Sequence, residues 1–200
     1  MDKQVKDNPK LKSYSNYIIQ SGKQLHSLIN DIHSYQEIDK INFSIGKVNL
    51  QTVLDQITQE MSPFLKQNNG SIIYDNLPQI EASSINALEI ILKSILKNGI
   101  LYNKNPNPIV DVSFQMKPSE YQLFIKDNGL GIEPEYHQDV FKLFKRLNNR
   151  EAFDGSGIGL AVSQKIASRI GAEIGIHSSE EGVGTCFVIR LKRRFNESDK

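Results

Sequence analysis

Apolar positions recur in two rows through residues 11–39: Leu11, Ile18, Leu25 and Ile32 form one, and Tyr14, Ser21, Leu28 and Tyr35 the other. A heptad spacing of this kind predicts a helix with a narrow, partner-facing seam. No second stretch of matching length and seam follows it. The stripe is therefore expected to be covered by another molecule in a helical bundle, the alternative being a helix folded onto the domain that follows. After residue 41 the pattern becomes mixed. It predicts a short strand at 47–50, a helix over 51–68 ended by Gly70, and a strand at 71–75, with the Leu77-Pro78 break before a strand at 80–82. A long helix is expected over 84–102, then a loop over 103–108. Strands at 109–116 and 121–126 flank the turn Lys117-Pro118-Ser119-Glu120, a helix covers 158–170, and strands at 173–177 and 185–191 close the domain. Such an order builds a mixed sheet with helices on one face, an α+β domain.

Composition narrows the partners. With 24 basic and 23 acidic residues the formal net charge is +1, which supplies no field for nucleic acid or an anionic lipid surface. At 200 residues and 38% hydrophobic content, one substantial domain plus a helical appendage is the natural reading. The single cysteine, Cys186, falls in an alternating strand pattern. It has no partner for an internal disulfide, reads as a small core residue, and suits a cytoplasmic setting. No run approaches the roughly 20 apolar residues that span a bilayer, and the first ten residues lack a signal-peptide core.

The candidate chemistry lies in two glycine clusters. Asp127-Asn128-Gly129-Leu130-Gly131-Ile132 leaves a strand, and Gly155-Ser156-Gly157-Ile158-Gly159-Leu160 opens a helix. Each places open backbone where a ligand can approach without meeting a Cβ. A carboxylate at a strand end can accept the hydrogen bond of an adenine amino group, although Asp-Asn-Gly alone is also ordinary turn chemistry. The amides of Gly157 to Gly159 stand where a helix start receives phosphate oxygens, although three glycines also suit a plain flexible loop. Asn98, at the edge of the apolar stripe of the long helix, can offer an oxygen to a Mg2+ held by phosphates, or be an incidental polar residue. No βαβ unit with a following acidic residue surrounds the second cluster, and no Gly-Lys-Ser/Thr phosphate loop occurs, which disfavours the dinucleotide and P-loop folds.

Asn98, Asp127-x-Gly129-x-Gly131, Phe141 and Phe144, Gly155-x-Gly157-x-Gly159, and Gly182-x-Gly184-Thr185 fall in the order seen in the ATP-binding domain of sensor histidine kinases, gyrase, Hsp90 and MutL. The chain most resembles a two-component sensor histidine kinase of the phytochrome-like subgroup. Ser21-Gly22-Lys23-Gln24-Leu25 and Leu28-Ile29-Asn30-Asp31-Ile32 resemble the second helix of that family's dimerisation and phosphotransfer hairpin. The resemblance implies a two-layer α/β sandwich of the Bergerat ATP-binding type preceded by a bundle-forming helix. Residues 1–40 would be part of the dimerisation hairpin, 41–195 the catalytic ATP-binding domain and 196–200 a tail. It further implies that Asp127 reads adenine, with Thr185 and the Gly129, Gly131 and Ile132 backbone nearby. Asn98 would coordinate Mg2+. A lid over 145–154 would close on the triphosphate, Arg146 would face phosphate, and Gly155, Gly157, Ile158, Gly159 and Leu160 would form the phosphate-binding box. Phe141 and Phe144 would anchor the lid or touch substrate. The implied cofactors are ATP or ADP with Mg2+, and the implied partners are a second copy of the chain, a response regulator and an upstream sensor module.

The pattern also departs from the family. The phosphoaccepting histidine belongs to a first bundle helix that this stretch does not carry, so no catalytic residue is expected within it. His26 and His33 read as surface or packing residues, and His137 and His177 show no acid/base partner. Ser94 stands where the family has a first Asn, Gly99 where it has Ala, Leu101 where it often has Lys, and Ser84 where Asp is common. These exchanges are expected to weaken transition-state stabilisation more than adenine recognition. The expected function is transfer of the ATP γ-phosphoryl group to histidine. The alternative is a catalytically weak nucleotide-binding scaffold with a degenerate Mg2+-binding helix.

Overall fold

The computed structural model describes residues 46–82, 84–145, 147 and 157–193, with isolated positions between 11 and 38. Arg146, Gly155, His26 and His33 lie outside the described residues. Strand β1 (Gly46–Asn49) leads directly into helix α1 (Leu50–Glu60). The Asn49 side chain caps that helix by accepting from Thr52 N at 3.1 Å, and Leu50, Val53, Leu54 and Ile57 turn inward. The helix expected to run unbroken to residue 68 instead stops at Met61, and α2 (Ser62–Gln67) starts afresh. Pro63 accounts for the break, because it has no N–H to continue the ladder and suits only a first turn. The left-handed residue that ends α2 is Asn69, with φ 51°, rather than Gly70. Gly70 is glycine because a Cβ there would lie 2.9 Å from Ile100 Cδ1.

Strands β2 (Ser71–Tyr74) and β3 (Gln79–Ala82) precede the long helix α3 (Ile85–Leu101), which Ser84 caps through Ala87 N. Strands β4 (Ile109–Met116) and β5 (Glu120–Asp127) form the expected hairpin. Two single-turn 3-10 helices, Pro134–Tyr136 and Asp139–Phe141, come before helix α4 (Gly159–Arg169). Strands β6 (Ala172–Glu180) and β7 (Gly184–Lys192) complete a five-stranded sheet of order β2-β4-β5-β7-β6. Only β2 and β4 pair parallel; β1 and β3 form a separate antiparallel ribbon.

The core lies between one sheet face and the helices. Val112, Ile125 and Phe187 sit in cross-strand register on that face, as do Leu123, Ile189 and Ile174. Against them α3 buries Leu88, Ile91, Leu92, Ile95, Leu96 and Ile100 at helical spacing. At about 1.5–3 kcal/mol for each such side chain, this stripe fixes the rotation of α3. Whatever stands at the edge of the stripe is therefore held in place too, and Ser94 and Asn98 stand there.

The described positions from 11 to 36 are helical, and Leu11, Tyr14 and Ile18 of the heptad rows are exposed, Ile18 by 73%. The chain joins the core at Ile38, which is buried and whose carbonyl accepts from Arg169 Nη1 at 2.7 Å.

Candidate functional site

Asp127 closes β5 on the same face as Leu123 and Ile125, so strand alternation turns its carboxylate toward the helices rather than to solvent. The residue is only 8% exposed. One oxygen is used by the protein: Oδ1 accepts from Gly129 N at 2.9 Å and from Thr185 N at 3.1 Å. Oδ2 makes no hydrogen bond to the described residues. Burial pushes the carboxyl above the ordinary aspartate range, against the lowering effect of the Gly129 and Thr185 amides.

The backbone around this carboxylate is packed too closely for side chains. A Cβ on Gly129 would lie 2.6 Å from Tyr102 O, and one on Gly184 2.0 Å from Asp127 O. Gly131, at φ 74°, would bring its Cβ to 2.0 Å from Glu180 O. Ser179, which carries no sequence signal beyond its place on a strand, completes the wall. It accepts from Ile132 N at 2.7 Å, and its hydroxyl lies 2.9 Å from that of Thr185. His137, for which no acid/base partner was expected, places Nε2 3.0 Å from the backbone oxygen Ile132 O. A carbonyl can only accept, so this ring nitrogen carries the proton.

The second glycine cluster meets α3 at mid-helix, further from its C-terminus than Asp127 does. A Cβ on Gly159 would lie 2.8 Å from Ser94 Oγ, while a Cβ on Gly99 would lie 3.0 Å from Asp127 Cβ and 2.7 Å from Val110 Cγ2. Ser94 thus touches the start of α4, and Gly99 touches the carboxylate that ends β5. Five residues at 1.5 Å rise separate the two contacts by about 7.5 Å along the helix axis, with Asn98 between them. Gly99, which stands where the family has alanine, packs closely against Val110 and Asp127.

Among the described residues no side chain caps the N-terminus of α4. Ile158 is fully buried and Leu160 packs against the core, so these two residues anchor the helix start and offer only backbone to a ligand. Buried Ser163 donates to Gly159 O at 2.9 Å, which fixes the first turn. Phe144 N donates to Gly157 O at 3.0 Å and ties together the two ends of the segment between them. The two phenylalanines part company here. Phe141 is 7% exposed and meets Phe187 edge-on at 6.3 Å, whereas Phe144 is 53% exposed at φ 62°. Only Phe141 is a core anchor. Beside it, Asp139 holds Lys142 at 2.6 Å and Lys145 at 2.8 Å, and these ammonium groups draw its carboxyl down to about 2.

Among the described residues no cluster of three His, Cys, Asp or Glu side chains is placed to hold a metal. The Asn98 carboxamide is partly exposed and makes no hydrogen bond to the described residues. A single neutral oxygen fits a hard cation that brings most of its ligands with it, as Mg2+ does on a polyphosphate.

Comparison with known proteins bears on the family and the fold. Residues 83–194 match the family described as Histidine kinase-, DNA gyrase B-, and HSP90-like ATPase. The chain is 23% identical over 180 residues to the phytochrome-like protein Cph1 of Synechocystis sp., a match covering 90% of this chain and 24% of that protein. It is 26% identical over 187 residues to the methanogenesis regulatory histidine kinase FilI of Methanothrix harundinacea, covering 92% and 21% respectively. The fold superposes on full-length ShkA, solved in complex with AMPPNP, with a TM-score of 0.72, 23% identity, and coverage of 94% of this chain and 40% of that one. The chain spans about a quarter of the length of the phytochrome relatives it matches. With more than half of its residues inside the matched region, the chain belongs to the Histidine kinase-, DNA gyrase B-, and HSP90-like ATPase family.

Proposed function

We propose that this chain binds ATP with Mg2+ and transfers the γ-phosphoryl group to a histidine on an acceptor helix, as the catalytic part of a two-component sensor. The observation that carries this reading is the division of labour within Asp127: Oδ1 is saturated by two backbone amides, and buried Oδ2 is free for a 6-amino purine. AMPPNP in ShkA, a protein of the same fold, supports an adenine nucleotide as the ligand. A further neighbour, ThkA, was solved in complex with the response regulator TrrA (TM-score 0.70, 18% identity), which supports a response regulator as partner. A second copy of the chain is the proposed occupant of the Leu11, Tyr14 and Ile18 seam. No helix among the described residues is long and apolar enough to cross a membrane, which is compatible with a cytoplasmic site of action.

In this reading the domain binds, orients and neutralises rather than reacting covalently. Asp127 and Thr185 hold the purine, the Gly157 to Gly159 backbone receives phosphate oxygens, and Arg146 adds charge there. Mg2+, when bound beside Asn98, neutralises charge on the triphosphate. The bond between the γ-phosphorus and its bridging oxygen breaks, a bond to an imidazole nitrogen of the acceptor forms, and ADP leaves. Mixing the chain with ATP radiolabelled at the γ-phosphate, Mg2+ and a cognate acceptor hairpin should place acid-labile, base-stable label on the hairpin. Nucleotide binding without such label would leave a scaffold in place of a kinase.

Acid should separate binding from folding. In the native chain Asp127 takes up its proton at higher pH than an ordinary aspartate of the unfolded chain. The proton goes to Oδ2, because Oδ1 already accepts two N–H groups. As pH falls into that window, ATP affinity should fall while this group's contribution to folding stability rises; as pH rises through it, the reverse holds. Parallel pH series of ATP titration and denaturation check this. Affinity that holds down to the ordinary aspartate range would contradict it.

A further inference from the structure

The loop after α3 is stitched to the turn after β5 by two side-chain amides, Asn103 outside the nucleotide motifs and Asn128 between Asp127 and Gly129 of the first glycine cluster. Asn103 Nδ2 donates to Asn128 Oδ1 at 2.8 Å and to Gly99 O at 3.2 Å. Asn128 Oδ1 also accepts from Ile109 N at 2.8 Å, and its Nδ2 donates to Asn107 O at 3.2 Å. Asn103 Oδ1 accepts from Asn105 N at 2.9 Å. Backbone groups of fixed polarity thus set the orientation of both amides, and neither can flip without loss. Beside them Leu130 N donates to Tyr102 O at 3.1 Å, and Gly129, whose N–H holds Asp127 Oδ1, packs its α-carbon against that same carbonyl.

We propose that Asn103 and Asn128 are positioning residues whose side-chain pair sets the Asp127 carboxylate relative to α3 and so governs discrimination between 6-amino and 6-oxo purines. The proposal rests on the nucleotide reading given above. Gly129 N and Thr185 N together orient Oδ1, and Oδ2 faces the purine while both bonds are kept. Releasing the turn from α3 lets Gly129 N shift and the carboxylate turn with it. A purine carrying an amino group then loses its advantage over one carrying a carbonyl, while the phosphate contacts at α4 stay as they were.

The test uses the full chain with Asn103→Ala, Asn128→Ala and the double variant. Affinities for ATP and inosine triphosphate are measured calorimetrically, and thermal midpoints are followed alongside. The unaltered chain should prefer ATP by about a hundredfold or more, as sites built to hydrogen-bond a polar group do. Each single variant should lower that preference by about tenfold, and the double variant should lower it no further than the worse single one, because a shared contact can be lost only once. A simple loss of stability moves the midpoint and leaves the ratio of affinities unchanged. If Asn128→Ala does not fold, Asn103→Ala, which spares the Ile109 contact, carries the test alone. Folded Asn103→Ala with full selectivity, or effects that multiply in the double variant, would overturn the clasp and leave the nucleotide reading standing. An unaltered chain that binds no ATP would remove both.

Discussion

Asp127→Asn should cost ATP affinity about a hundred- to a thousandfold while leaving the fold intact. The asparagine carbonyl can still accept from Gly129 and Thr185, so the local backbone keeps its bonds. What changes is the atom at the Oδ2 position, where an acceptor becomes a donor. A hydrogen bond to a charged group, about 1.5–3 kcal/mol, is lost, and two N–H donors are left facing each other at a further cost of about 1–3 kcal/mol. Because burial of the carboxylate is unfavourable in the native state, its removal should hold or raise the thermal midpoint near neutral pH. Inosine triphosphate, with an acceptor in place of the amino group, should lose far less affinity than ATP. Paired calorimetry and thermal melts check these outcomes together. Near-normal ATP binding by the variant would show that this carboxylate does not read the base.

Gly131→Ala should be among the most damaging of the small substitutions, destabilising the chain by about 2–4 kcal/mol and removing most nucleotide binding. Its φ of 74° strains any L residue, and the added Cβ would lie 2.0 Å from Glu180 O and 2.5 Å from Glu180 C. Both are main-chain atoms, so no side chain can rotate away. Relief requires the turn between β6 and β7 to back off, which breaks the 2.7 Å bond from Gly182 N to Leu130 O and loosens Ile132 from Ser179. Gly171 supplies the control, with φ 71° and nothing within 4 Å of an added Cβ. Gly171→Ala should cost only the conformational strain, about 1–2 kcal/mol, with unchanged ATP affinity. Denaturant titration of the two variants separates strain from collision; equal losses would mean that the Gly131 contact carries no weight.

The elements with strong periodicity were legible from residues alone. The β4–β5 hairpin and α3 fall where alternation and the 3.6-residue stripe put them, because both patterns reflect burial on one face. Asp127 and its glycines were legible for the same reason: a strand whose inward positions are Leu123 and Ile125 must also turn Asp127 inward. The misses have local causes. The break at Met61 was written in Pro63 and overridden by the apolar pattern on either side. Gly70 was credited with a backbone role that Asn69 fills, because its reason for being glycine, Ile100, lies on a helix distant in sequence. Ser179 and the Asn103–Asn128 pair could not be found from spacing, since their partners come from strands and loops brought together only by the fold. Phe141 and Phe144 are alike in sequence, and only the path of the chain sends one into the core and the other out.

Titration of the unaltered chain with ATP in the presence of Mg2+, set against the same titration with inosine triphosphate, tests the central claim most directly. Saturable uptake of one ATP per chain, with clear preference over the 6-oxo analogue, is the predicted result. Absence of ATP uptake, or equal uptake of the two nucleotides, would contradict it.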